Sequence, residues 1–184
     1  MPRSRSESTR RDDPGRARLF FAAFLPALAL YSVTLAPTVT SEDSGELITA
    51  AYTLGIAHPP GYPLWCLLGK LFTCIPFGTV AWRAHLLSAT LGAAASGVLA
   101  LLALRFTQSA PISLLAALLY ASSLDFWGQA VIAEVYTLNV LLFLTILYLL
   151  FRFEDTFRTR WLYLAAFTVG LGLNPHVLKQ FGKV

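Results

Sequence analysis

Asp43-Ser44-Gly45-Glu46 puts two carboxylates one helical turn apart, on one face of a helix that starts there. Such a pair can cap the helix, with Asp43 at the N-cap and Glu46 three residues on. It can also do proton chemistry, a carboxylate taking the proton of a hydroxyl as that oxygen attacks carbon. Asp43 and Glu46 are therefore the catalytic candidates, and Glu46 reads equally as a second carboxylate or as the capping partner. His58 and Tyr62 flank a proline-rich turn, Pro59-Pro60-Gly61, and are candidates for substrate binding. The competing reading is a turn held against a bilayer. Arg83 suits a phosphate, which a guanidinium grips through paired hydrogen bonds, or it snorkels as an anchor beside Trp82. Glu134 sits in an apolar stretch, where a charge costs at least ~2.5 kcal/mol near the bilayer centre and usually faces the bundle interior. It is a candidate for lining a substrate cavity. The three histidines lie 27 and 91 residues apart, and no tight His/Asp/Glu cluster is visible in the spacing. No metal ligands are assigned, a divalent metal stays open, and no soluble-cofactor, nucleophile-elbow or nucleic-acid motif is present.

The elements that must hold these groups are membrane helices. Of the 184 residues, 56% are hydrophobic and 13% charged, against roughly a quarter charged in soluble domains. Mean hydropathy is +0.62. About 20 apolar residues span a bilayer, and five stretches qualify in whole or part: Leu19–Pro37, Ala84–Leu104, a short one from Pro111 to Ser123, Ala130–Phe151, and one from Trp161 broken by Gly170, Gly172 and Asn174-Pro175. Ala89, Ala93 and Gly97 form a small-residue stripe suited to close helix packing. The fold class is all-α, a polytopic membrane protein of about five transmembrane helices. The net charge of +4 comes largely from six arginines before residue 19. With Arg105, Arg152, Arg158 and Arg160 they mark one side as cytoplasmic by the positive-inside rule. Asp43, Glu46, Glu134 and the histidines then fall on or near the external side.

About 45 residues separate the first two spans, too many for a bare connection. A short helix from Asp43 closed by Gly55 is expected, then a second from Pro63 to before Pro76 with apolar residues on one side. That makes an amphipathic helix lying on the membrane surface. Cys66 and Cys74 on it would stand roughly 12 Å apart, too far for a mutual disulfide. The organisation expected is a disordered basic cytoplasmic tail over 1–18, a membrane domain over 19–178 with its external loop at 38–82, and a short divergent tail over 179–184.

The strings Asp43-Ser44-Gly45-Glu46-Leu47-Ile48-Thr49-Ala50-Ala51 and Leu54-Gly55-Ile56-Ala57-His58-Pro59-Pro60-Gly61-Tyr62-Pro63-Leu64, with Pro76-Phe77-Gly78, Trp82-Arg83, Leu86-Leu87-Ser88 and Ala133-Glu134-Val135, are long and specific. Over roughly Leu35 to Asn174 the sequence resembles a family of polytopic membrane proteins. The family includes the endoplasmic-reticulum protein O-mannosyltransferase of plexin-type receptors and many bacterial relatives. The resemblance implies a GT-C glycosyltransferase architecture, with sugar passed from a lipid-phosphate carrier to a protein or glycan acceptor on the external or lumenal face. In such enzymes a carboxylate just after the first span is the usual base or acceptor-orienting group, the place Asp43 occupies. The partners implied are the lipid-linked sugar, the acceptor and membrane lipids, without nucleic acid. The membrane is a bacterial inner membrane or the endoplasmic reticulum, with the amino terminus cytoplasmic. One alternative is a transporter or lipid-binding membrane protein, with Glu134 and the broken fifth helix lining a path; another is an inactive fragment, since after Asn174 the sequence departs from the family pattern and reads as a truncation.

Overall fold

The computed structural model describes residues 14–40, 43–59 and 61–172. Glu42, Pro60, Asn174-Pro175, His176 and the terminal tail expected over 179–184 lie outside them. The described residues form eight helices and no strand: α1 (Pro14–Val33), α2 (Ser44–Thr53), α3 (Pro63–Thr73), α4 (Val80–Thr107), α5 (Ala110–Ala121), α6 (Leu124–Ala130), α7 (Tyr136–Thr156) and α8 (Thr159–Gly172). Three of them, α1, α4 and α7, are long and apolar enough to cross a membrane. α5 and α6, bent by 68° at a short break, make a fourth crossing if taken together. α8 contributes 14 described residues. The protein is thus an all-α, integral membrane protein.

α4 is the central post. Its small side chains let the other helices come close, as the stripe at Ala89, Ala93 and Gly97 leads one to expect. Ala89 and Ala93 are fully buried. A Cβ on Gly97 would lie 2.5 Å from the Phe20 ring of α1, and one on Gly92 would crowd Ala130, Thr137 and Tyr31. Without a hydrophobic force between helices in lipid, such close approach is what holds them. α1 and α4 run antiparallel, so that Leu19, Ala23 and Ala100 share one cluster with Ala117. α7 runs parallel to α4, with Arg105 near the end of α4 bonded to the Phe151 carbonyl and to Asp155 at the end of α7. One end of the bundle therefore collects Arg16, Arg18, Arg105, Arg152, Arg158 and Arg160. α2, α3 and the start of α4 lie at the other. Because α1 begins at Pro14, Arg16 and Arg18 belong to the helix rather than to the tail expected over 1–18.

Two boundaries differ from the sequence reading. α2 closes on Leu54, not on Gly55: Leu54 takes the left-handed conformation (φ 56°), and the Gly55 N–H bonds the Ala50 carbonyl. The stretch expected to be helical from Ala130 becomes helical only at Tyr136, so Glu134 lies in a break between α6 and α7. Backbone polar groups at membrane depth need partners inside the protein, and this break has them. The Val131 carbonyl accepts from the Ala36 N–H. The Glu134 carbonyl accepts from Trp65 Nε1 and Ser88 Oγ, each at 3.1 Å, while its N–H donates to Ser88 Oγ at 3.2 Å.

α3 packs Trp65, Cys66 and Gly69 inward and leaves Leu67 and Leu71 exposed. A Cβ on Gly69 would stand 2.7 Å from that of Ala51, so glycine here sets how closely α2 and α3 approach. The outward leucines are what a surface-lying helix offers to lipid. Cys66 and Cys74 are both free.

Candidate active site

The N-terminus of α2, the turn after it and the α6–α7 break meet at the end of the bundle opposite the arginines. Asp43 is the N-cap residue of α2, yet its side chain makes no capping hydrogen bond. Its Oδ2 points instead toward His58 Nε2, 3.6 Å away. Glu46 likewise does not reach back to Asp43. Its Oε1 accepts the His58 backbone N–H at 2.6 Å and its Oε2 meets His58 Nδ1 at 2.9 Å. The capping-box reading is thus not the geometry adopted: both carboxylates serve a histidine twelve residues on from Glu46.

Gly61, at φ +91°, a conformation that L side chains rarely adopt, closes the turn that follows His58, its N–H donating to the His58 carbonyl at 2.8 Å. Tyr62 follows with its ring edge-on to His58, centroids 5.4 Å apart. Burial pushes the Tyr62 hydroxyl above its ordinary pKa, and Tyr136, Asp43 and Glu134 add to the rise. Tyr62 therefore stands within electrostatic reach of both Asp43 at the surface and Glu134 beneath it. Glu134 is only 3% exposed, its backbone pinned by Trp65 and Ser88. Beside it Tyr62, Leu64, Leu138, Asn139 and Leu142 line a shallow, largely apolar groove running to the end of α8.

Five of the six site residues named from sequence are thus gathered at one place: Asp43, Glu46, His58, Tyr62 and Glu134. Arg83 is not directed there. Its Nε, Nη1 and Nη2 donate to the carbonyls of Phe77, Thr73 and Gly78 at 2.9, 2.7 and 2.9 Å, tying down the α3–α4 turn. A cluster absent from the sequence spacing does form: Asp43, Glu46 and His58 each offer a ligand atom, all within 4.8 Å of one another, a set that could hold a divalent ion. Trp65 and Ser88, which position Glu134, were not legible as site residues. Ser88 was visible only as part of the Leu86-Leu87-Ser88 string, with no role attached to it.

The Glu46–His58 pair has a pH signature. The His58 ring, and then its backbone N–H, hold the Glu46 carboxyl below the ordinary 4.5. A carboxyl depressed in the fold contributes stability above its unfolded pKa and loses it as the pH falls through the lower, folded value. The His58 amide resonance is expected to shift as the pH drops below 4.5, and Glu46→Gln is expected to abolish that step. The same step in the Gln variant would show that Glu46 is not its source.

These features define an integral membrane protein of packed helices, with an acidic, histidine-containing site at one end of the bundle. The family model for the "Protein O-mannosyl-transferase TMEM260 N-terminal domain" matches residues 43–180, and the chain belongs to that family. Among curated relatives, the mouse protein O-mannosyl-transferase TMEM260 is 39% identical over 170 residues, covering 89% of this chain and 24% of that protein. Its Dictyostelium discoideum counterpart is 34% identical over 172 residues, covering 84% of this chain and 21% of its own length. The chain thus spans about a quarter or less of the relatives it matches. No solved structure matches it.

Proposed function

We propose that the chain forms the amino-terminal part of a membrane O-mannosyltransferase, in which Asp43 is the proton acceptor for sugar transfer. The observation that carries this reading is the side chain of Asp43, which is free of helix-capping duty. It is 60% exposed and held beside His58 inside the family-matched segment. The acceptor hydroxyl loses its proton to Asp43 as its oxygen bonds to the anomeric carbon, and the carrier phosphate leaves with the bonding electrons. Glu46 fixes His58 through two hydrogen bonds, and His58 in turn faces Asp43. Tyr62 lines the groove below, where its hydroxyl offers the sugar a polar partner, and the buried Glu134 adjoins the groove through its neighbour Val135. The apolar groove beside Tyr62 suits a donor whose sugar is carried on lipid phosphate. The arginine-rich end supports an orientation with the amino terminus cytoplasmic, which puts the reaction on the opposite, external or lumenal face.

The donor is tested with a purified full-length family member, an acceptor domain, and mannose supplied either on a polyprenyl phosphate or as a nucleotide sugar. Transfer from the lipid-linked donor alone is expected. Equal transfer from the nucleotide sugar, with no lipid carrier present, would sink the donor assignment.

A further inference from the structure

The opposite end of the bundle holds charge that the proposed reaction does not use. Arg105 takes both nearby acids there: its Nη2 meets Glu154 at 2.8 Å and its Nη1 meets Asp155 at 2.7 Å. Two further arginines converge on one indole. The guanidinium carbons of Arg152, near the end of α7, and Arg160, at the start of α8, lie 5.1 and 4.5 Å from the Trp161 ring centroid. Among the described residues, neither has an ion pair with a carboxylate. Within the same cluster, Arg152 Nε and Trp161 Nε1 are shielded from solvent and have no acceptor among the described residues.

Two cations gathered on one ring without a counter-ion repel each other, and two shielded donors without acceptors each carry a desolvation cost. One thing relieves both: an anion with several acceptor oxygens. The place also selects the anion. Arg152 is about one turn from the end of a spanning helix and Trp161 opens the next. This is the depth at which tryptophan marks the membrane–water boundary and lipid phosphates lie. The partial positive charge at the N-terminus of α8 adds to the attraction. We propose that Arg152, Arg160 and Trp161 form a binding site for the phosphate of an anionic membrane lipid. The site is independent of the sugar-transfer reading and stands or falls separately from it.

The test uses the 184-residue chain in nanodiscs of equal parts phosphatidylglycerol and phosphatidylcholine, with the lipids retained on gentle extraction counted by native mass spectrometry. A basic side chain near the surface contributes about fivefold in affinity for anionic lipid, so the two arginines predict a preference of roughly 25-fold. Arg152→Gln or Arg160→Gln alone should lower it about fivefold, and the double variant should bring it near parity. Arg18→Gln, on another helix, should keep most of it. Equal retention of the two lipids by the unmodified chain would overturn the proposal without recourse to any variant, as would full preference in the double variant. In a second arm, inorganic phosphate is added to chain in phosphatidylcholine alone, and no rise in the unfolding temperature is expected. A rise matching that given by phosphatidylglycerol would overturn the lipid as the source of the anion.

Discussion

Asp43→Asn, placed at the matching position of a full-length family member, is expected to lower sugar transfer by about 10²–10⁴-fold, the usual worth of a positioned general base. It should leave the inserted fold intact. The two side chains have the same shape, so nothing is repacked. Asp43 makes no side-chain capping bond to α2, so no helix end is released. Among the described residues its close side-chain partner is His58, at 3.6 Å, and His58 keeps both of its hydrogen bonds to Glu46. What is lost is the capacity to hold a proton. The measurement is mannose incorporation into an acceptor domain, alongside membrane insertion and the thermal unfolding of the same preparation. Unchanged transfer with normal insertion would remove Asp43 from the reaction.

Trp65→Ala carries the largest expected loss of stability. Trp65 of α3 is 1% exposed and, among the described residues, is the largest fully buried side chain, packed in one cluster with residues of α2, α4 and the α6–α7 break. Truncating a buried tryptophan costs about 3–5 kcal/mol, through lost contacts and the cavity left behind. The same change takes away the Nε1–H bonded to the Glu134 carbonyl, which would loosen the α6–α7 break as well as the core. Trp65→Phe separates the two effects. It keeps most of the volume and leaves Ser88 on the same carbonyl, so its cost should be near the ~1 kcal/mol of one hydrogen bond plus a small packing loss. Thermal unfolding in detergent, read by circular dichroism, gives both numbers. A loss below ~1 kcal/mol for Trp65→Ala would show that α3 is docked by its neighbours without this anchor.

How much of this was legible beforehand depends on the range of the interaction. The spans at α1, α4 and α7, the small-residue face of α4 and the short helix at α3 follow from hydropathy and spacing, both properties of a dozen or two consecutive residues. The start of α7 was not legible. Residues 130–135 continue the apolar stretch of the helix that follows, and the partners that make an unwound backbone affordable there are distant in sequence: Ala36 on Val131, and Ser88 and Trp65, 46 and 69 residues before Glu134. Arg83 carried two readings in the sequence, phosphate ligand or snorkelling anchor, and the structure shows a third use, on three carbonyls of its own turn.

The sequence by itself determined that this is a multi-helix membrane protein and which family its motifs belong to, and it put forward Asp43, Glu46, His58, Tyr62, Arg83 and Glu134 as candidates. Composition, hydropathy and motif strings are read along the chain, and no contact is needed to see them. Only the tertiary structure decided what those residues do to one another. The carboxylates of Asp43 and Glu46 look like a capping box because the helix start is local. They turn away from it because the chain, redirected where left-handed Leu54 ends α2, brings His58 within 3 Å of Glu46, offering an imidazole and a backbone N–H together. Likewise Glu134 lies in a break rather than within a helix because Ser88 and Trp65, from distant parts of the chain, satisfy its backbone.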